Sequence, residues 1–225
     1  MHTMLKTLFL LYLSLMIFVC SGSVQAHPHS WVEMKTYVQG SETLVTGFQM
    51  EWVFDAMTTA YMLDGEDLSP EHQQESLQTL ADEMLANMLG DHYFTYFYDE
   101  DKPIRYLEGR NAQLSLKRGK GVFSFDLPLV KPQPITESAL KLLIFEPSYY
   151  VDMTWKHPAD VILSDALAKN CSIEMVEPNP TPEQMNYALS LPLDADPDNA
   201  LGQLFTQTVR FHCVSPTDTE EAIHE

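Results

Sequence analysis

"HSWVEMKTYVQGSETLVTGFQMEWVFD", residues 29–55, decides the fold. Polar and apolar residues alternate from His29 to Val38 and again from Thr43 to Phe54, the period of a strand with one buried face. In the second run Leu44, Phe48, Met50, Trp52 and Phe54 fall on that face. "QGSE" (39–42) supplies the turn between the runs, so the stretch predicts a β-hairpin. With the turn there, Val38 lies opposite Thr43, His29 opposite Trp52 and His27 opposite Phe54. Asp55 then stands beside His27.

Beyond Asp55 the period changes from two to that of a helix. "DAMTTAYML" (55–63) reads as a short helix with Asp55 as N-cap. "DLSPEHQQESLQTLADEMLANMLG" (67–90) reads as a longer one, with Ser69 as N-cap, Pro70 at the first helical position and Gly90 as the stop. Leu77, Leu80, Met84 and Met88 form its buried stripe. Strand patterns return in "YFTYFYD", "IRYLE", "AQLSLKR", "GVFSFDLPLV", "LKLLIFE" and "YVDMTW". The proline-bearing segment from Val176 to Phe205 predicts a loop with one or two short helices before a last strand. No internal repeat or low-complexity tract interrupts this order. The expected fold is α+β: one antiparallel, β-rich domain with helices inserted after the first hairpin and near the C-terminus.

Upstream of the hairpin, "MHTMLKTLFLLYLSLMIFVCSGSVQA" has Lys6 as its positive end, an apolar run from Leu8 to Cys20, and a small-x-small site at Val24-Gln25-Ala26. That is the pattern of a cleaved secretory signal peptide. The run is shorter than the roughly 20 residues that a spanning helix needs. Cys20 is preceded by bulky Ile17-Phe18-Val19, which does not suit lipidation. Residues 27–225 are therefore expected as a single periplasmic domain.

The chain carries a formal net charge of −19, with 32 acidic and 13 basic residues. Losing Lys6 with an acid-free leader makes it −20. Such a field repels nucleic acid and anionic membrane surfaces and gathers cations, although acidity also serves solubility alone. Cys171 and Cys213 are the only cysteines outside the leader, each on a patterned strand, "CSIEM" and "FTQTVRFHC". In an exported protein they are expected to form one structural disulfide. Closing roughly 40 residues would contribute about 3–4 kcal/mol on the loop-entropy account. Neither a C-x-x-C spacing nor a flanking cation favours redox chemistry.

The chemistry-bearing feature is the triplet His27-Pro28-His29. In a strand, alternate residues share a face about 6.6 Å apart, so both imidazoles can reach one ion. Cleavage after Ala26 would add the new α-amino group of His27. That nitrogen set suits Zn, Ni, Co or Cu rather than Ca²⁺ or Mg²⁺. Pro28 has no N–H to deprotonate, which rules out the amino-terminal copper and nickel chelate built on backbone nitrogens. Asp55 is the candidate oxygen ligand, or the partner orienting an imidazole. The plainer reading leaves the histidines as polar terminal residues and Asp55 as a helix cap.

The remaining sequence offers weaker candidates. His92, after Asp91, is a possible distal ligand, whereas His72, His157, His212 and His224 read as surface residues. "LDGEDLSPEH" is too short for an EF-hand loop. Gly-x-Ser-x-Gly, His-Glu-x-x-His and phosphate loops are absent, so no enzyme is expected. "FEPSYYVDMTW" (145–155) is the densest aromatic and acidic cluster, placed to line a ligand cleft or to fill the end of a sheet.

"HPHSWVEM", "FQMEWVFDAMTTAYML", "DHYFTYF", "FSFDLPLV", "LLIFEPSYYVDM" and "LGQLFTQTVRFHC", in that order, resemble the bacterial family called domain of unknown function 1007. The family is often labelled a periplasmic component of an uncharacterised ABC-type transport system. Its company with nickel/cobalt-type permeases implies transition-metal handling outside the cytoplasm. His27, His29 and Asp55 occupy the family's matching positions. Relatives often carry an Asp-rich, EF-hand-like stretch before the helix, which "LDGEDLSPE" shortens. The expected role is thus a metal-binding accessory of a membrane permease. A structural module docking on the transporter without metal is the alternative.

Overall fold

A computed structural model describes residues 27–135, 139–192, 195, 197 and 201–214. The predicted signal peptide, the acidic tail with His224, and Cys20 lie outside these residues. The hairpin forms the spine of the first sheet, β1 (Ser30–Gly40) pairing antiparallel with β2 (Leu44–Phe54). Along β1, Val32, Met34, Thr36 and Val38 are buried while Trp31, Glu33, Lys35 and Gln39 are exposed, as alternation requires.

The hairpin register differs from the expected one. Gln39 and Gly40 belong to the strand rather than the turn, and the tight connection is Ser41–Thr43, closed by Ser41 N–H donating to the Leu44 carbonyl (2.9 Å). Val38 therefore pairs with Phe48, Met34 with Trp52 and Val32 with Phe54. A bulge between Val45 and Gly47 also shifts the phase of β2, burying Val45 and leaving Leu44 half-exposed. Gly47 is required here, because a Cβ would lie 2.8 Å from the Leu127 carbonyl of the neighbouring strand.

Helix α1 (Ala56–Met62) follows at once, and α2 (Gln73–Asn87) begins a turn later than expected. Ser69 opens a turn whose carbonyl accepts the N–H groups of His72 and Gln73, and His72 holds the cap position without a side-chain cap bond. Leu77, Ala81 and Met88 are buried along α2 and the following 3₁₀ segment, with Leu80 and Met84 half-buried.

The later strands are β3 (Thr95–Asp99), β4 (Lys102–Pro103), β5 (Arg110–Lys117), β6 (Lys120–Pro134), β7 (Leu140–Ile144), β8 (Val151–Thr154), β9 (Val161–Leu163), β10 (Cys171–Val176) and β11 (Thr208–Cys213). Helices α3 (Pro182–Ser190) and α4 (Leu201–Leu204) precede the last strand. "IRYLE" makes only an isolated bridge, Tyr106 to Leu129.

Two sheets result. The first runs β5-β6-β2-β1, with β8 and β9 sharing the far edge of β1; the second runs β10-β11-β7-β3-β4. β8 and β9 lie parallel to β1, a departure from the all-antiparallel expectation that arises because the chain leaves β7 in the second sheet and re-enters the first. Between the sheets Phe48 meets Phe97 edge-on at 5.1 Å, and within the second sheet Phe97 meets Phe211 across β7 at 5.8 Å. Burying each such side chain contributes about 1.5–3 kcal/mol, enough in sum to commit both sheets to one core. Trp155 ties the layers by polar bonds, its Nε1–H donating to Thr36 Oγ1 and its backbone exchanging bonds with the Gln207 amide. Cys171 lies directly opposite Cys213 and is bonded to it. The fold is a single α+β domain with the expected disulfide.

Candidate functional site

β1 outruns β2 at its beginning. Phe54 ends opposite Val32, so His27 and His29 extend past the hairpin and meet the turn before β8 instead. The Tyr150 carbonyl accepts the N–H of His29 (2.9 Å) and of Ser30 (3.3 Å). His27 is only 2 % exposed, although it precedes the first strand residue by three positions. Its ring centre lies 4.8 Å from that of His29, and the Tyr150 ring packs against both, at 6.0 Å from His27 and 5.0 Å from His29.

Three ring nitrogens in this corner are buried without a hydrogen-bond partner among the described residues: Nδ1 and Nε2 of His27, and Nε2 of His29. An unpaired buried polar group costs about 1–3 kcal/mol, so this arrangement gains from anything that engages these nitrogens, of which a neutral ring offers one as a lone-pair acceptor and the other as an N–H donor. An ion held about 2.0–2.1 Å from a ring nitrogen sits about 3.2 Å from the ring centre. Two imidazoles sharing that ion at angles between right and tetrahedral then have centres about 4.5–5.2 Å apart. The observed 4.8 Å falls within that span. Burial and the adjoining His29 both depress the His27 pKa below its ordinary value, with the Glu146 charge opposing them. The neutral ring that a metal requires is thereby favoured.

Asp55 is held elsewhere. One carboxylate oxygen accepts the N–H groups of Met57 (2.8 Å) and Thr58 (3.0 Å), and the other accepts the Thr58 hydroxyl and the Trp31 N–H (3.0 Å). Desolvation pushes its pKa up, but these hydrogen bonds outweigh it and the net shift is downward. The residue is the N-cap of α1 and a clamp on β1. It lines a groove of about 250 Å³ with Trp31, Glu33, Asp152, Lys120 and Lys156, whose lining includes neither histidine. The placement beside His27 that the hairpin reading gave is therefore corrected, because the observed register moves Asp55 to Trp31.

The group that does reach the histidines is the turn Glu146–Val151. The Glu146 carboxylate accepts hydrogen bonds from Ser148 N–H and Oγ–H (2.8 Å), Tyr150 N–H (2.7 Å) and Val151 N–H (3.4 Å). From behind, α4 presses on the turn. Gly202 N–H donates to the Pro147 carbonyl (2.8 Å), and a Cβ on Gly202 would lie 2.0 Å from the Glu146 carbonyl oxygen. Tyr149, at φ 61°, stacks on Phe205 at 4.1 Å. "FEPSYYVDMTW" carried the sequence signal of a cleft-lining segment, but nothing in the linear order joined it to histidines more than 115 positions upstream.

The other histidines stand apart. His92 is exposed in a left-handed turn (φ 53°), His212 pairs with Glu174 at 3.2 Å on the surface, and His157 belongs to the turn before β9. Among the described residues no three His, Cys, Asp or Glu side chains gather into a group able to hold a metal. The corner offers two imidazoles and, among the described residues, no third such side chain.

Fold and site together define a two-sheet, disulfide-linked α+β domain with a buried and a half-buried histidine just ahead of β1. The chain belongs to the family described as "Protein of unknown function (DUF1007)", whose profile matches residues 12–213. It is similar to an uncharacterised protein of Haemophilus influenzae, 31% identical over 200 residues that cover 88% of this chain and 95% of that relative. No solved structure matches it.

Proposed function

We propose that the protein binds a divalent transition-metal ion, of the Zn, Ni, Co or Cu type, at the His27–His29 corner. In this reading it acts outside the cytoplasm as a carrier or sensor for a membrane permease of the nickel/cobalt or ABC type. The observation that carries the reading is buried His27 beside half-buried His29, with three buried ring nitrogens that have no partner among the described residues and ring centres 4.8 Å apart. Neutral imidazole is a borderline-soft donor suited to those ions, and an overall charge of −19 draws cations towards the protein. Processing after Ala26 would add the His27 α-amine as a third nitrogen. Among the described residues no helix is long and apolar enough to cross a membrane, in keeping with an exported accessory domain.

Calorimetric titration of in vivo processed protein with Zn²⁺, Ni²⁺, Co²⁺ and Cu²⁺ tests the reading. One ion per chain is expected for wild type, with a loss of at least tenfold in affinity for the His27→Ala/His29→Ala variant. Equal binding by the two would overturn it.

A second reading, a docking module that needs no metal, draws on exposed apolar side chains beside the corner. Trp31 (46 % exposed) neighbours α1, where Met57 (64 %) and Tyr61 (86 %) share a face. Capture of a permease that survives metal removal and loss of both histidines would favour it.

A further inference from the structure

Among the described residues Glu146 is a carboxylate with no cationic partner. Among the described residues it makes no ion pair within 4.0 Å, and its oxygens are engaged only by neutral donors of its own turn, Ser148, Tyr150 and Val151. The carboxylate accepts the Tyr150 N–H at 2.7 Å, and the Tyr150 ring packs on both imidazoles, so an unneutralised negative charge stands one residue behind a corner with three unpartnered ring nitrogens. The same carboxylate builds the turn whose Tyr150 carbonyl fixes His29 and Ser30 and whose Tyr150 ring covers both imidazoles. α4 closes the turn from the other side, with no room for a side chain at Gly202.

We propose that Glu146 is the positioning and charge-balancing residue of the His27–His29 site, selecting a divalent over a monovalent cation; this rests on the metal-binding reading of that pair. Two neutral imidazoles bind soft monovalent and borderline divalent ions alike. A fixed negative charge outside the coordination sphere separates them, because its attraction scales with the charge of the ion. The divalent ion gains twice what the monovalent ion gains. Removing outer-sphere partners of metal ligands typically costs 10–100-fold in affinity.

The test compares Zn²⁺ with Ag⁺, in chloride-free buffer, on the processed full-length protein. Wild type and Ser148→Ala, which loses turn hydrogen bonds but keeps the charge, should show the same ratio of Zn²⁺ to Ag⁺ affinity. Glu146→Gln should lower that ratio by about tenfold or more, with Ag⁺ binding less affected than Zn²⁺. Glu146→Asp, which restores the charge on a shorter arm, should recover most of the ratio. A merely structural role would weaken both ions equally, so an unchanged ratio in Glu146→Gln overturns the proposal. Should Glu146→Gln fail to fold, Ser148→Lys, which sets a cation against the retained carboxylate, must lower the ratio, and an unchanged ratio there overturns it too. If wild type binds neither ion, or binding is indifferent to His27 and His29, the metal reading itself has failed and the proposal falls with it. A wild-type site with a Glu146-independent ratio leaves the metal reading intact and removes only the role of Glu146.

Discussion

Replacing Asp55 by alanine separates a helix cap from a metal ligand. The Asp55 carboxylate accepts from Met57 N–H, Thr58 N–H, Thr58 hydroxyl and Trp31 N–H. Losing an N-cap costs about 1–2 kcal/mol. The Trp31 bond is exposed, so water replaces the acceptor and the additional loss is about 0.5 kcal/mol. A total of about 2 kcal/mol lowers the melting temperature of a domain of this size by about 4–8 °C. The effect depends on pH with a definite sign. The folded carboxyl titrates below its ordinary value, so its contribution is present above the unfolded pKa of about 3.9 and is lost as pH falls through the lower, folded value. The gap in melting temperature between wild type and Asp55→Ala should therefore stay constant from neutral pH down to about 5 and close in stronger acid. Scanning calorimetry across that range measures the gap, and zinc titration of the same samples should give wild-type affinity within about twofold. A variant with unchanged melting and a tenfold loss of zinc affinity would refute the reasoning and return Asp55 to the ligand set.

The remaining expectations concern other parts of the molecule. His27 titrates below the ordinary histidine range when folded, through burial and the adjacent His29. Its contribution to stability is thus present above about pH 6.5 and lost as pH falls through the folded value. His27→Gln should remove that acid-side slope in metal-free melting curves, and an identical slope in wild type and variant would contradict it. Reducing Cys171–Cys213, which closes a sequence separation of 42, should cost about 3–4 kcal/mol, read as a lower denaturant midpoint in dithiothreitol. An unchanged midpoint would show the strand pairing to be sufficient without the bond. Gly202→Ala forces a Cβ into the Glu146 carbonyl and should destabilise by about 1–3 kcal/mol or more. Because that contact braces the turn, zinc affinity should fall along with the melting temperature, and a fall in melting temperature alone would show that the turn holds without α4.

Much of the fold was legible because the signals are local. The alternation in β1 and β2, the change of period after Asp55, the cap at Asp55 and the patterned cysteine strands are each written within a few residues. The register of the hairpin was not. A turn at Gln39–Glu42 and one at Ser41–Thr43 both fit the composition of the loop, and the choice between them is made by the bulge at Val45–Gly47 and by the close approach of Gly47 to Leu127 on β6. The register carries directly into the site, because it sets where Asp55 stands: beside Trp31 and not beside His27.

The sequence by itself determined which side chains form the candidate site: a histidine pair flanking a proline, behind an apolar leader, in an acidic chain with two cysteines beyond that leader. Tertiary structure decided what stands next to that pair. His27 and His29 run past the end of β2, so their neighbours come from a strand that pairs in parallel and whose turn lies more than 115 residues away. Periodicity reports which face of a strand is buried, but it carries no information about which distant strand will occupy the edge. Only the packing of the two sheets, with α4 seated on Glu146 and Pro147, brings Glu146 and Tyr150 to the imidazoles.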